Sequence, residues 1–169
     1  MKKNWFVRVV LGLIIALILS ISGLVRLYTD FLWFDALGFS KIFLISLISK
    51  INLFFAAAII FFLFAIINLW ISSRFTEKDK FPFKLKLLIT AALSIMVAGS
   101  VSSGWFKVLQ YLRQTPFNLE DPIFMKDVSF YIFTLPFYDF VLAFLMSIII
   151  ITIILVLLDS LKSYFGQFL

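Results

Sequence analysis

Four long apolar stretches, each bounded by charged residues, organise the chain: Val9–Val25 between Arg8 and Arg26, Ile51–Ser73 between Lys50 and Arg74, Leu87–Phe106 between Lys86 and Lys107, and Phe140–Leu158 between Asp139 and Asp159. A helix rises about 1.5 Å per residue, so about 20 residues cross the roughly 30 Å of hydrocarbon in a bilayer. The first stretch is the shortest and spans if its flanking arginines snorkel to the headgroups. The second carries Phe54, Phe55, Phe61, Phe62 and Phe64 among many Leu and Ile, and their summed insertion energy, on the order of −5 kcal/mol, outweighs Asn52 and Asn68 near its ends. Backbone amides cannot stay unpaired in hydrocarbon, and none of the stretches alternates as a membrane barrel strand does, so all four are predicted as helices. The predicted fold is all-α, a polytopic membrane helix bundle of about four transmembrane helices with short interfacial helices in its extracytoplasmic loops. Spans are expected at about 7–26, 51–72, 86–105 and 139–159 in one membrane domain, with outer loops at 27–50 and 106–138 and an inner loop at 73–85.

Composition agrees with this pattern: 63% of residues are hydrophobic and 14% charged, whereas a soluble domain is about half apolar and a quarter charged. The absence of cysteine and histidine removes thiol catalysis, thiolate and imidazole metal sites, disulfides and the usual neutral-pH proton shuttle. The net charge of +6 comes from cations that flank apolar runs, which points to topology and anionic headgroups, with the lipid bilayer rather than nucleic acid as partner. Met1-Lys2-Lys3 and the small residues of Ser20-Ile21-Ser22 also fit a signal peptide, but the run is longer than a usual signal core and is taken as a span. Arg74, Lys78, Lys80, Lys84 and Lys86 crowd one short loop, while Lys107, Arg113 and Lys126 are spread along a much longer one. The positive-inside rule therefore places both termini of this region in the cytoplasm.

Small residues recur at helical spacing: Gly12, Ala16, Ser20 and Gly23 in the first run, and Ala91, Ser94, Ala98, Gly99, Ser102 and Ser103 in the third. Such faces let helices approach closely, so the first and third spans are expected to touch through Gly12, Ala16, Ser20, Gly23, Ser94, Ala98 and Ser102. In the first outer loop, helical spacing groups Phe31, Phe34 and Leu37 toward lipid and turns Asp30 away, as in a short surface helix. In the second, Asp121 before Pro122 makes a cap-and-first-position pair that would start a short helix. Val128–Leu135 is extended or helical, and Pro136 is expected to break either form. Glu120, Asp121 and Asp127 offer oxygen ligands, but their spacing is not that of a calcium loop, so no metal site is assigned.

No ionisable residue lies inside the four runs, although ion or proton transport usually leaves one there. No nucleophile-and-base set, zinc motif or phosphate-binding glycine loop is present. The expectation is a protein without enzymatic activity or cofactor, acting as a membrane anchor or scaffold. The alternative is a transporter or channel subunit with a path lined by Ser94, Ser100, Ser102, Asn52 or Asn68.

Two aromatic segments carry a family resemblance. The first has Tyr28-Thr29-Asp30 with Leu32-Trp33-Phe34 and Leu37-Gly38-Phe39. The second has Asp121-Pro122-Ile123-Phe124, then Asp127-Val128-Ser129-Phe130-Tyr131-Ile132-Phe133, then Leu135-Pro136-Phe137. They resemble uncharacterised protein family 0182 of the UPF series, at the motif positions Asp30, Trp33, Phe34, Gly38, Asp121, Pro122, Phe124, Asp127, Phe130, Tyr131, Phe133 and Pro136. The resemblance implies a multi-pass protein of a prokaryotic plasma membrane, much longer than this chain, of which the chain is an amino-terminal portion. The remainder of the same protein, or a second copy, would be its partner, and the resemblance supplies no catalytic residues. Glycine is common in that family where this chain has Asn118 and Met125, so tight glycine-type turns are not expected at those two positions.

Overall fold

The computed structural model describes residues 21–75 and 82–165. Helices dominate them: α1 over residues 21–36, α2 at Ser40–Phe75, α3 at Phe83–Ser102, α4 at Trp105–Leu112 and α5 at Leu135–Phe165, the last preceded by a π-helical turn at Phe130–Thr134. No strand occurs among the described residues, and Glu120 and Asp127 form one isolated antiparallel bridge. Three helices, Ser40–Arg74, Phe83–Ser102 and Phe130–Leu161, are long and apolar enough to cross a membrane. The chain forms two compact units, Met1–Leu47 and Ile48–Leu169.

In the first unit, the segment expected as an outer loop is almost wholly helical. α1 runs without interruption through Tyr28–Ala36 instead of giving way to a separate surface helix. It stops at Gly38, whose φ of 77° only glycine adopts without strain. The Phe39 N–H donates to the Phe34 carbonyl (2.8 Å) and the Gly38 N–H to the Asp35 carbonyl (2.9 Å). This is the paired bonding that closes a helix in a left-handed cap. Ser40 Oγ then donates to Asp35 Oδ1 at 2.8 Å, pinning the start of α2. Phe31 and Phe34 do not join Leu37 in facing outward: both pack on Phe43, each with ring centroids 5.6 Å away.

In the second unit, α2, α3 and α5 form an antiparallel core. α3 contributes a single stripe of buried residues, Lys86, Thr90, Ser94, Ala98 and Val101, spaced three or four apart so that they share one face. Ala57, Ala98 and Val101 form one cluster and Phe61, Ala65 and Ile148 another, joined by Val97 and Phe144. Small residues bring the backbones close and Phe61, fully buried, fills the remaining space, which is how helices associate where lipid removes any hydrophobic drive. The opposite faces stay open: Phe55 and Ile59 on α2, Leu88 and Met96 on α3, and Ile150 and Leu158 on α5 are all exposed.

Helix ends depart from the expected spans. α2 has 36 residues, about 54 Å of helix, well beyond one hydrocarbon thickness, because it lacks glycine and proline throughout and does not stop at Lys50. The apolar helix around α5 starts at Phe130 rather than near residue 139, and Pro136 does not break it. The Leu135 N–H bonds the Phe130 carbonyl five residues back, and this wider turn accommodates a ring that would otherwise clash with the preceding turn. Of the proposed packing residues, Ser94 and Ala98 are buried among α2, α3 and α5, Ser102 is half-exposed, and Gly23 has nothing within 4 Å of its would-be Cβ. Gly12, Ala16 and Ser20, and with them the contact expected between the first and third spans, lie outside the described residues.

Candidate functional site

The most elaborate local structure lies between α4 and α5. α3 ends at a corner where Gly104 packs so close to Phe140 that any Cβ would overlap the ring. α4 comes next, the short helix expected in this outer segment. Lys50 Nζ lies 5.4 Å from the centre of the Trp105 ring and Lys107 Nζ 6.0 Å from that of Phe140, the arrangement of cations and aromatics that suits a membrane–water boundary. Tyr111 stacks on Phe137 at 4.1 Å and 5°.

The loop from Arg113 to Ser129 is then folded around two carboxylates. Asp127 accepts N–H groups from Phe117 (3.2 Å), Asn118 (2.8 Å) and Ser129 (2.7 Å). Asp121 accepts the Phe124 N–H at 2.9 Å and the Tyr131 hydroxyl at 3.1 Å. Backbone bonds from Asp121 N to Lys126 O (2.8 Å) and from Val128 N to Leu119 O (2.9 Å) tie the two limbs together. Asp121 does cap the turn that begins at Pro122, but that turn reaches only to Met125, whose N–H bonds the Asp121 carbonyl at 2.9 Å, so no short helix develops.

The turn ends there because Met125 has φ of 52°, while Asn118 has φ of 54°. Both positions are left-handed, contrary to the expectation that no glycine-type turn is needed there. Asparagine tolerates this conformation; methionine is strained in it, by about 1–2 kcal/mol. Met125→Gly removes that strain while raising the entropy of the unfolded chain, and the net expectation is a gain on the order of 1 kcal/mol in loop stability. Slower proteolysis within residues 113–129 is the readout.

Hydrogen bonding holds both carboxyls below their ordinary value. For Asp127 the Ser129 hydroxyl and N–H contribute most, followed by the N–H groups of Phe117 and Asn118. For Asp121 the Phe124 N–H leads, with the Tyr131 hydroxyl and the Ile123 N–H adding to it, and partial burial opposes the shift in both. A carboxyl whose folded pKa is depressed stabilises the fold above its unfolded pKa and loses that contribution as pH falls through the folded value. The loop is therefore expected to resist protease equally from pH 8 to pH 5, and to open only as the pH drops below the ordinary carboxyl value of 3.8. Because these oxygens face the loop's own amides, Glu120, Asp121 and Asp127 do not converge on a shared point, and no cluster of three potential ligands occurs among the described residues.

The second motif is thus gathered into one loop. Asp121 and Asp127 anchor it, and Tyr131 donates to Asp121. Phe130 lies under Lys126 at 5.9 Å, Phe133 meets Phe117 at 5.8 Å, Pro136 occupies the first turn of α5, and Pro122 and Phe124 are exposed in the turn. The first motif stays within its own unit: Asp30 and Trp33 are exposed, Phe34 packs on Phe43, and Gly38 caps α1.

A second polar feature was not foreseen. Lys86 Nζ and Asp159 Oδ2 meet at 2.8 Å between α3 and α5, with side chains only 5% and 9% exposed. They border a cavity of about 140 Å³ otherwise lined by Leu69, Ile89, Leu155 and Leu158. The Thr90 hydroxyl donates to the Lys86 carbonyl at 2.8 Å, and the buried Thr152 hydroxyl has no partner among the described residues. The signal was available: Lys86 opens the third run and Asp159 closes the fourth, so antiparallel neighbours bring them to the same end.

The family described as Uncharacterised protein family (UPF0182) matches residues 7–166. A UPF0182 protein of Methanospirillum hungatei is 34% identical over 83% of this chain and 16% of its own length. One of Desulforamulus reducens is 34% identical over 89% of the chain and 20% of its own length, and one of Streptomyces coelicolor 32% identical over 85% and 16%. The chain thus spans a fifth or less of the length of these relatives. No solved structure matches. With the matched region covering nearly all of the chain, including both aromatic motifs and the carboxylate-pinned loop, the chain belongs to the UPF0182 family.

Proposed function

We propose that this chain is a non-enzymatic anchor and scaffold region of a multi-pass plasma-membrane protein, with both of its ends on the cytoplasmic side. The observation that carries the proposal is the pairing of outward apolar helix faces with a rigid polar-cored loop at one end of the bundle. α2, α3 and α5 keep bulky residues such as Phe55, Met96 and Ile150 exposed, which is costly in water and natural in hydrocarbon. The loop commits its carboxylates to its own backbone, so it is built to hold a shape rather than to turn over a substrate. The rest of a longer protein, or a second copy, is the partner such a scaffold would carry.

A transport path has less support. Asn52 and Ser100 lie exposed, Ser94 is buried and donates to the Ala91 carbonyl, and Asn68 donates to the Phe64 carbonyl, so these groups serve their own helices. Fusing the chain to a soluble reporter tests the proposal. The reporter should stay with the membrane through alkaline carbonate washing, and the purified chain in sealed vesicles should conduct no labelled solute. Release by carbonate, or solute flux abolished by Ser94→Trp, would overturn it.

A further inference from the structure

The loop's carboxylates face inward while its bulkiest apolar residues face out. Leu119, Ile123, Phe124 and Met125 are 64%, 77%, 68% and 70% exposed, and Leu119, Pro122, Ile123 and Phe124 line one groove whose floor is Val128 and Tyr131. We infer that this tip is a lipid-seating wedge, which inserts into the boundary between headgroups and acyl chains of an anionic leaflet. The inference rests on the proposed membrane setting of the bundle.

Three observations select lipid as the occupant. The first is depth. The tip is bonded sideways to the start of the α5 apolar stretch, through Val128 N to Leu119 O and Tyr131 Oη to Asp121 Oδ2, and that stretch begins at Phe130. The tip therefore sits where α5 enters the hydrocarbon rather than far above it, and exposed Ile132 and Leu135 continue along α5 from the groove.

The second is the chemistry of its surroundings. Lys126 lies over Phe130, Lys107 over Phe140 and Lys50 over Trp105, which places three cation–aromatic pairs at the same end of this unit, as at a headgroup layer. The third is charge. Asp121 and Asp127, which anionic headgroups would repel, are turned onto backbone amides, while Lys126 is exposed beside the tip. The tip is also fixed before it binds, so little ordering opposes insertion.

The chain has no cysteine, so single thiols report cleanly. In the full chain, reconstituted in phosphatidylglycerol–phosphatidylethanolamine vesicles, Ile123→Cys is labelled with an environment-sensitive fluorophore. Quenching by lipids carrying a nitroxide at a shallow acyl position is then compared with quenching by aqueous iodide. Ile150→Cys, exposed on mid-α5, is the control.

The wedge requires shallow-nitroxide quenching at Ile123→Cys several-fold above that of a label at Arg113→Cys, and protection from iodide. Iodide quenching equal to that of free dye would overturn it. Protection from iodide without lipid quenching would also overturn it and would assign the tip to a protein contact, either a second copy or another polypeptide. If deep nitroxides fail to quench Ile150→Cys as well, the membrane setting itself fails; if they quench Ile150→Cys alone, only the wedge does.

Discussion

Asp159→Asn is expected to be among the most damaging single substitutions in this protein, costing about 3–5 kcal/mol of stability. The reason is asymmetry. Lys86 is 5% exposed and its 2.8 Å partner 9%, so removing the carboxylate leaves an ammonium in a low-dielectric site bordered by Leu69, Ile89, Leu155 and Leu158, where its desolvation is no longer offset. Replacing both groups by apolar residues of similar size removes the cost at its source. The double variant Lys86→Met with Asp159→Leu should therefore recover most of the loss. The SDS-unfolding equilibrium of the reconstituted chain provides the measurement. Near-neutral behaviour of Asp159→Asn, or a double variant no better than the single, would contradict this role for the pair.

Gly104→Ala is the second large expected effect. The would-be Cβ overlaps Phe140 Cε2 and Cζ, and Phe140 is packed against the cluster of Ala57, Ala98 and Val101, so the ring has little room to retreat. Overpacking of this kind costs about 1–3 kcal/mol. Because the contact is with one side chain, Phe140→Leu in the same chain should restore most of the stability. Phe140→Leu alone should be mildly destabilising. If Gly104→Ala is tolerated without compensation, the close approach of the α3–α4 corner to α5 is not what fixes glycine there.

Most of the architecture was legible because hydrocarbon imposes a length and a composition on whatever crosses it, and the second, third and fourth runs each coincide with a long helix. Their ends were not legible, because a charge marks where hydrocarbon ends and not where a helix does. Lys50 lies inside α2 with its ammonium over Trp105, and Asp139 lies exposed inside α5. Pro136 misled for a different reason: proline breaks a regular α-helix, but the π-turn at Phe130–Thr134 shifts the bonding ahead of it. Residues 27–50 looked like a loop because Asp30, Asp35 and Lys41 dilute their hydropathy, although nothing except Gly38 interrupts helical bonding there.

In the outer loop the important residues were visible and their roles were not. Asp121 and Asp127 drew attention as potential ligands, yet what they bind is backbone N–H, which every residue but proline carries and no pattern of side chains advertises. Asn118 and Met125 show how family glycine and left-handed backbone correspond even where this chain lacks the glycine. The Lys86–Asp159 pair was hidden by treating each charge as a boundary marker for its own run instead of asking which ends antiparallel helices bring together.

A membrane bundle requires α3 to cross a bilayer once between a cytoplasmic and an external segment. Thiol accessibility in intact cells tests this directly, using Lys78→Cys and Glu120→Cys in separate copies of the cysteine-free chain with a membrane-impermeant maleimide. Glu120→Cys should label fully in intact cells, and Lys78→Cys only after the membrane is opened. Equal labelling of both in intact cells would mean that no bilayer separates them, and the membrane bundle described here would be wrong.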